Sequence, residues 1–305
     1  MKIYINRSPR SGPWGGGAKA VNRLVSSLTQ KGHDVVHRLE EGIDLIFCFD
    51  PRPNKYGEDF HHMLKYKQDN SIKIIQRVGD VGSHGKPDLT KYVEFCLDKS
   101  DFFIFPSTWA KDKIGFKKDN YAVIYNTPMK DFYKNRKKDK EISNRPKIVT
   151  HHWSTNVRKG FSLYKKFDEY CQETEEFKFY YIGQVPSGTS FERYYPPLDT
   201  NVLSSVLPEF DIYLTASEEE AGANHVLEAM AAGLPVIYTS NGGSIVEYCE
   251  GYGESYDDFN KMINSIRKVT QEYSEYKNAV CNYKCTNDQT IDKYCEIIED
   301  ILNES

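Results

Sequence analysis

Short apolar runs punctuate the first part of the chain at Lys2–Asn6, Leu45–Phe49, Ile72–Val78, Phe102–Phe105 and Tyr121–Tyr125. Polar, helix-compatible stretches separate most of them. In the first such stretch Ala20, Leu24, Val25 and Leu28 recur at helical spacing before Lys31-Gly32 ends the pattern. Strands alternating with helices predict a parallel sheet with crossover helices, a Rossmann-like unit. The pattern then restarts. Apolar runs at Lys147–Thr150, Phe177–Gly183 and Asp211–Ser217, and another from Val236, alternate with predicted helices at Phe161–Cys171, around Asn201–Leu207 and from Ser244. After Tyr252 the chain reads as amphipathic helices to its end.

Between the two patterns the composition shifts. Residues 129–147 carry eight basic and three acidic side chains, without apolar periodicity. They read as a solvated linker, or as a basic lip facing an anionic acceptor or a membrane surface. A chain of 305 residues is long enough for two α/β domains. The expected division is 1–143 and 144–289, with a last helix, about 290–305, packing back on the first domain. A net charge of −4 argues against a nucleic-acid partner. Seven scattered cysteines make no disulfide framework, and Cys281-x3-Cys285 lacks the further ligands of a zinc site. The opening strand is unlike a signal sequence, and no apolar run reaches the ~20 residues of a membrane span. The expected location is the cytoplasm, with at most peripheral membrane contact.

Residues 211–248, DIYLTASEEEAGANHVLEAMAAGLPVIYTSNGGSIVEY, concentrate the candidate chemistry. A strand ends in three carboxylates, a small-residue break follows, and an Ala-rich helix runs to Gly233-Leu234-Pro235. A second strand then leads to a Gly242-Gly243 turn and another helix. Glu220 falls in the loop after the strand and Glu228 in the first turns of the helix. Both belong at the carboxyl ends of parallel strands, where open α/β sheets bind ligands.

Glu220-x7-Glu228, followed by LEAMAAGLP and Gly-Gly in this frame, resembles the donor-site signature of retaining, nucleotide-sugar-dependent glycosyltransferases of the GT-B fold, family 4 type (glycosyl transferases group 1). The resemblance covers the second half well and the first half in outline. It implies two Rossmann-like domains facing each other across a cleft, acceptor on the N-terminal side and donor on the C-terminal side. It implies a nucleoside diphosphate sugar as substrate, a glycan, lipid-linked or other small acceptor, and neither cofactor nor metal. Glycan biosynthesis is the implied setting.

The resemblance also assigns roles. Glu228 would accept hydrogen bonds from the ribose hydroxyls. Glu220 would approach the donor sugar and the charge developing at its anomeric carbon. Lys159, just before Gly160, matches the family's diphosphate-binding Lys-Gly, with Arg158 beside it; the Arg that members often carry a few residues earlier is here Trp153 or Ser154. Gly242-Gly243 at a helix start, and the Gly15-Gly16-Gly17 loop after the first strand, suit a phosphate approaching backbone N–H groups. Gly183 and Leu198 fall in the family's base-binding region. The backbone of Gly222, Ala223 and Asn224 would touch sugar or phosphate, although the bulkier family sequence here is Ala221–His225. Asp80 and His84, after the third strand, are candidates beside the reacting carbon. One of His151 and His152 can face the site. Tyr194, Tyr195 and Trp109 read as core or cleft lining.

Other readings stay open on sequence. The chain could be a catalytically silent nucleotide-sugar-binding subunit, for which the missing upstream Arg speaks. A nucleotide-sugar epimerase shares the scaffold but not the residues seen here. A transferase acting on DNA bases has only the basic run 129–147 in its favour.

Overall fold

The five apolar runs of the first 126 residues become strands in the computed structural model, which describes residues 1–10, 16–83 and 86–304. They are β1 (Lys2–Ile5), β3 (Leu45–Cys48), β4 (Lys73–Arg77), β5 (Phe102–Phe105) and β6 (Tyr121–Val123), joined by a short edge strand, β2 (Asp34–Val36). Helices α1 (Gly16–Gln30), α2 (Phe60–Asn70), α3 (Pro87–Cys96) and α4 (Thr108–Lys113) lie between them. All pairings are parallel, in the order β2-β1-β3-β4-β5-β6. Both faces of this sheet are covered, which is why its strands read as continuous apolar runs. Ile3, Ile5, Leu45 and Phe47 pack under Val21, Leu24 and Leu28 of α1. Tyr4, Ile46, Cys48 and Ile74 meet Phe60 and Met63 of α2 on the other side.

The second unit, Thr127–Thr286, repeats the architecture. Its strands are β7 (Lys147–His152), β8 (Lys178–Gly183), β9 (Tyr194–Tyr195), β10 (Ile212–Thr215), β11 (Val236–Thr239) and β12 (Gly253–Tyr256). They pair in parallel in the order β12-β11-β10-β7-β8-β9. Helices α5 (Asp131–Lys134), α6 (Phe161–Thr174), α7 (Thr200–Val206), α8 (Asn224–Ala231), α9 (Ser244–Cys249), α10 (Phe259–Gln271) and α11 (Tyr273–Cys281) complete it. Val149, Tyr213 and Val236 face α8, while Ile148, Phe179 and Leu214 face α6 and α10. The strand order of this sheet is that of the dinucleotide-binding folds, which reverses direction between β7 and β10. The chain finally returns to the first unit as α12 (Asn287–Asn303), where Ile291, Tyr294, Cys295 and Ile298 join the core beside α1.

Two expectations need correction. The chain after Tyr252 is not all helix, because Gly253–Tyr256 forms β12 on β11. Only one of its four residues is buried, so no apolar run announces it. Gly253 is required there, since a Cβ would lie 1.8 Å from the Val236 carbonyl oxygen. Residues 129–147 are more than a bare linker, although Lys134, Lys137 and Lys138 stay exposed. Phe132 is fully buried in the core of the second unit. Arg136 donates to the carbonyls of Ala231 (2.8 Å), Cys281 (2.7 Å) and Tyr283 (3.0 Å). Lys140 pairs with the buried Asp211 at 2.9 Å, and Arg145 donates to the carbonyls of Cys171 and Phe177. These cations are absorbed by helix ends and a buried carboxylate.

The seven cysteines are all free thiols, five of them buried. Among the described residues no helix is long and apolar enough to cross a membrane.

Candidate functional site

Three loops of the second unit converge where its strand order reverses. After β7, a 3-10 turn (Val157–Lys159) is opened by Asn156, whose side chain accepts from the Arg158 N–H at 3.0 Å. Gly160 closes it at φ 82°; a Cβ there would sit 2.5 Å from the Ala216 carbonyl oxygen and 2.4 Å from the Ala216 Cβ. This glycine lets the loop press against the end of β10. Two hydrogen bonds hold the contact: the Glu218 N–H donates to the Arg158 carbonyl (3.0 Å), and the Ala216 N–H to the Tyr164 hydroxyl (2.8 Å).

The third loop, between β11 and α9, clasps the carboxylates from the other side. Glu219 and Glu220 donate their N–H groups to the carbonyls of Asn241 (2.9 Å) and Gly242 (3.1 Å), and the Glu220 carbonyl accepts from the Ser244 N–H at 2.8 Å. Glu219 takes φ 52°, uncommon for a residue with a side chain. Gly243 takes φ 70°, ψ −125°, a region open in practice only to glycine.

In this frame the charges pair. Lys159 is ion-paired with Glu220, both side chains largely buried. Arg158 meets Glu219 at 2.9 Å and is more exposed. Glu228, on α8 and largely buried, lies 3.0 Å from His151 Nε2. A carboxylate accepts, so Nε2 carries the proton in that contact. The other ring nitrogen of His151 is buried without a hydrogen-bond partner. His152 points to the opposite face, as strand alternation demands, and meets the Tyr164 hydroxyl at 2.8 Å. Burial pushes the Tyr164 hydroxyl up to about 12, so it acts there as a neutral group.

Glu220, Lys159, Gly242 and Gly243 thus lie in one hydrogen-bonded cluster with Arg158, and Glu228 stands on the helix that follows. Ala223 donates its N–H to Ser244 Oγ at 3.1 Å, tying the residues before α8 to the same turn; Gly222 and Asn224 flank it. Gly183 takes φ 129° at the end of β8, where a Cβ would meet the His152 carbonyl at 1.9 Å. Its evident work is close strand approach. Leu198 packs against the core of the unit, and Tyr194 and Tyr195 are exposed on the edge strand β9.

The remaining candidates belong to the first unit. A cavity of about 470 Å³ opens there at the carboxyl ends of β1, β3 and β4. Gly17, exposed at the start of α1 after Gly16, lines it, as does Asp80. Asp80 accepts from the Gly82 N–H at 2.9 Å and pairs with Lys86 at 2.6 Å. His84 and Gly15 lie outside the described residues. The partner of Glu228, His151, is what sequence reasoning left undecided, and the cationic lining of the cavity is what it missed. Arg7 and Arg10 follow β1, Arg52 and Lys55 follow β3, and Arg77 ends β4, each ordinary by itself.

Residues 158–271 match the family model for glycosyl transferases group 1. No curated protein matches the chain in sequence. Among solved structures, sucrose-phosphate synthase from Thermosynechococcus elongatus is similar with a TM-score of 0.71 at 12% identity, covering 100% of both chains. WaaG, a glycosyltransferase involved in lipopolysaccharide biosynthesis, gives 0.66 at 13% identity, covering 98% of this chain and 99% of its own. The pneumococcal O-GlcNAc transferase GtfA, solved in complex with UDP and GlcNAc, gives 0.63 at 13%, covering 93% of this chain and 60% of that one. At such identities the likeness is one of fold. The chain has the two parallel α/β sheets of the GT-B glycosyltransferases, and the family likeness in sequence is confined to residues 158–271, which match the glycosyl transferases group 1 model.

Proposed function

We propose that the protein is a retaining, metal-independent glycosyltransferase that binds a nucleoside diphosphate sugar at the carboxyl ends of β7 and β10. The observation that carries this reading is the cluster of Lys159, Glu220 and the Gly242-Gly243 turn, with Glu228 on α8, at the point where the strand order reverses. Glu228, oriented by His151, takes the ribose hydroxyls. Lys159 and the backbone of the 242–244 turn take the diphosphate, and Glu220 takes the sugar.

In the reaction the bond between anomeric carbon and diphosphate oxygen breaks while the acceptor oxygen bonds to that carbon on the same face. The departing phosphate oxygen receives the acceptor's proton. The protein's part is then to hold both substrates and to stabilise charge that grows on the diphosphate and the sugar. Lys159 already has a carboxylate partner, so donor phosphate would compete with Glu220 for it and leave Glu220 free to turn to the sugar.

Calorimetric titration with UDP-, GDP-, ADP- and CDP-sugars tests the reading. One donor should bind, and Glu228→Ala should weaken it by about 1.5–3 kcal/mol, the worth of hydrogen bonds to a charged group. Folded protein that binds none of them, or a variant with unchanged affinity, would refute the donor assignment. Product from a productive pair, examined by NMR for anomeric configuration, decides retention.

A further inference from the structure

The cavity of the first unit stands where that sheet's order also reverses, between β1 and β3, the usual place for a ligand in an open α/β sheet. Its size falls within the range of about 300–1,000 Å³ for small-molecule sites. Five cationic side chains line it, Arg7, Arg10, Arg52, Lys55 and Arg77, against two carboxylates. Both carboxylates are already engaged. Asp50 pairs with Arg52 (2.6 Å) and Arg7 (3.2 Å), and Asp80 pairs with Lys86. The wall therefore keeps an excess of positive charge.

Arg77 makes the point sharply. It is only 7% exposed, and its partners are all neutral: the Tyr294 hydroxyl at 3.1 Å, the Asn126 amide oxygen at 3.3 Å, and the face of Phe49, 4.6 Å from the guanidinium carbon. Gly79 makes room for it, since a Cβ there would lie 1.8 Å from Arg77 Nη1. A guanidinium does not shed its proton, so a buried one without a carboxylate is costly unless an anion joins it. Beside it, the fully buried side chain of Gln76 has its amide oxygen without a hydrogen-bond donor. A hydroxyl, which both donates and accepts, satisfies that amide in either orientation.

We infer that this cavity binds a hydroxylated oxyanion, a sugar or polyol bearing a phosphate or carboxylate, with the oxyanion on Arg77 and a hydroxyl on Gln76. Taken with the glycosyltransferase reading, on which this step rests, that ligand is the acceptor. Arg52 and Lys55, exposed at the rim, draw the anion in.

The test uses the full chain, with glucose 6-phosphate, glucuronate and glucose as probes in calorimetric and thermal-shift titrations. At least one anionic sugar should bind about tenfold or more tightly than glucose, the scale of a charge-assisted, bidentate contact. Which of the two binds separates phosphate from carboxylate. Arg77→Met should abolish that preference while leaving the unliganded protein's Tm unchanged or higher, because an unpaired buried charge has gone. A merely structural arginine would instead lower the Tm. Lys55→Gln, at the exposed rim, should weaken the anionic probe a few-fold at low salt, and reads the site even if the buried change unfolds the protein. Equal binding of glucose and both anions, or undiminished binding by Arg77→Met, would overturn the inference. Displacement of the probe by a nucleoside diphosphate would assign the oxyanion to the donor and overturn the acceptor role. If an anionic sugar binds but no nucleotide sugar does, the cavity stands and the transferase reading is what fails.

Discussion

Gly243→Ala tests the geometry of the three converging loops without touching any side chain proposed to act. The new methyl group would stand 2.6 Å from the Glu220 carbonyl oxygen and 2.8 Å from its nitrogen, against ordinary contacts of 3.4 Å and more. The three nearest atoms are all backbone, so none can swing away. Holding alanine in a glycine-only region adds about 1–3 kcal/mol, and overpacking of this kind about 1–3 kcal/mol more. We expect a loss of ~2–6 kcal/mol if the loops stay in place. If they yield instead, Glu220 shifts by roughly 1 Å, and misplacement on that scale costs about 100-fold in rate. Gly188→Ala is the control. Gly188 also has a positive φ, 80°, but a Cβ there meets nothing within 4 Å, so only the conformational part, ~1–2 kcal/mol, remains. Urea unfolding followed by circular dichroism gives the stabilities, and nucleotide-sugar titration with turnover gives the function. If Gly243→Ala matched Gly188→Ala in both, the argument that this turn positions Glu220 would be wrong.

Lys159→Met should weaken a nucleoside diphosphate by about 1.5–3 kcal/mol, the range for hydrogen bonds to charged groups, and the free nucleoside far less; equal losses in calorimetry would exclude a phosphate role. Lys277 is buried against the Gly233 carbonyl at 2.6 Å, and burial pushes its pKa down to about 8. Between that value and the unfolded pKa near 10.4 the unfolded chain holds the extra proton, so stability contributed by this group rises with pH across roughly 8–10. Wild type should therefore gain on Lys277→Met between pH 7.5 and 9.5 in urea melts, and a constant gap would contradict the burial effect. Arg136→Met strips donors from three carbonyls at the ends of α8 and α11 and should cost about 2–4 kcal/mol; a change within 0.5 kcal/mol would mean that water replaces the guanidinium.

What the sequence makes legible depends on how locally each feature is encoded. The central strands announce themselves because both faces of each sheet are covered, so Ile3 to Ile5 and Ile212 to Leu214 are uniformly apolar. The edge strands β2, β9 and β12 hold two to four residues and bury little, which leaves no such run. Glu220 and Gly243 are recognisable by the frame around them, but their mutual contact depends on three loops meeting. The basic run 129–147 is only partly legible for a related reason. Its charge is local, whereas Asp211 and the carbonyls that engage Arg136, Lys140 and Arg145 are far away in sequence. Arg77 is the extreme case, since only the fold shows that the groups it touches, Tyr294, Asn126 and Phe49, carry no negative charge.

The return of α12 to the first unit has a bearing on how the protein is made. The second unit is one unbroken segment, while the first is complete only when residues after Thr286 are available. A ribosome adding about 5–20 residues each second needs roughly 10–30 s to make the intervening ~160 residues. Throughout that time Val21, Leu24 and Leu28 lack the cover of Ile291, Tyr294 and Ile298. The order in which the units are completed thus inverts their order in the sequence: the later unit can close first, and the earlier one waits, with an apolar face open, for α12.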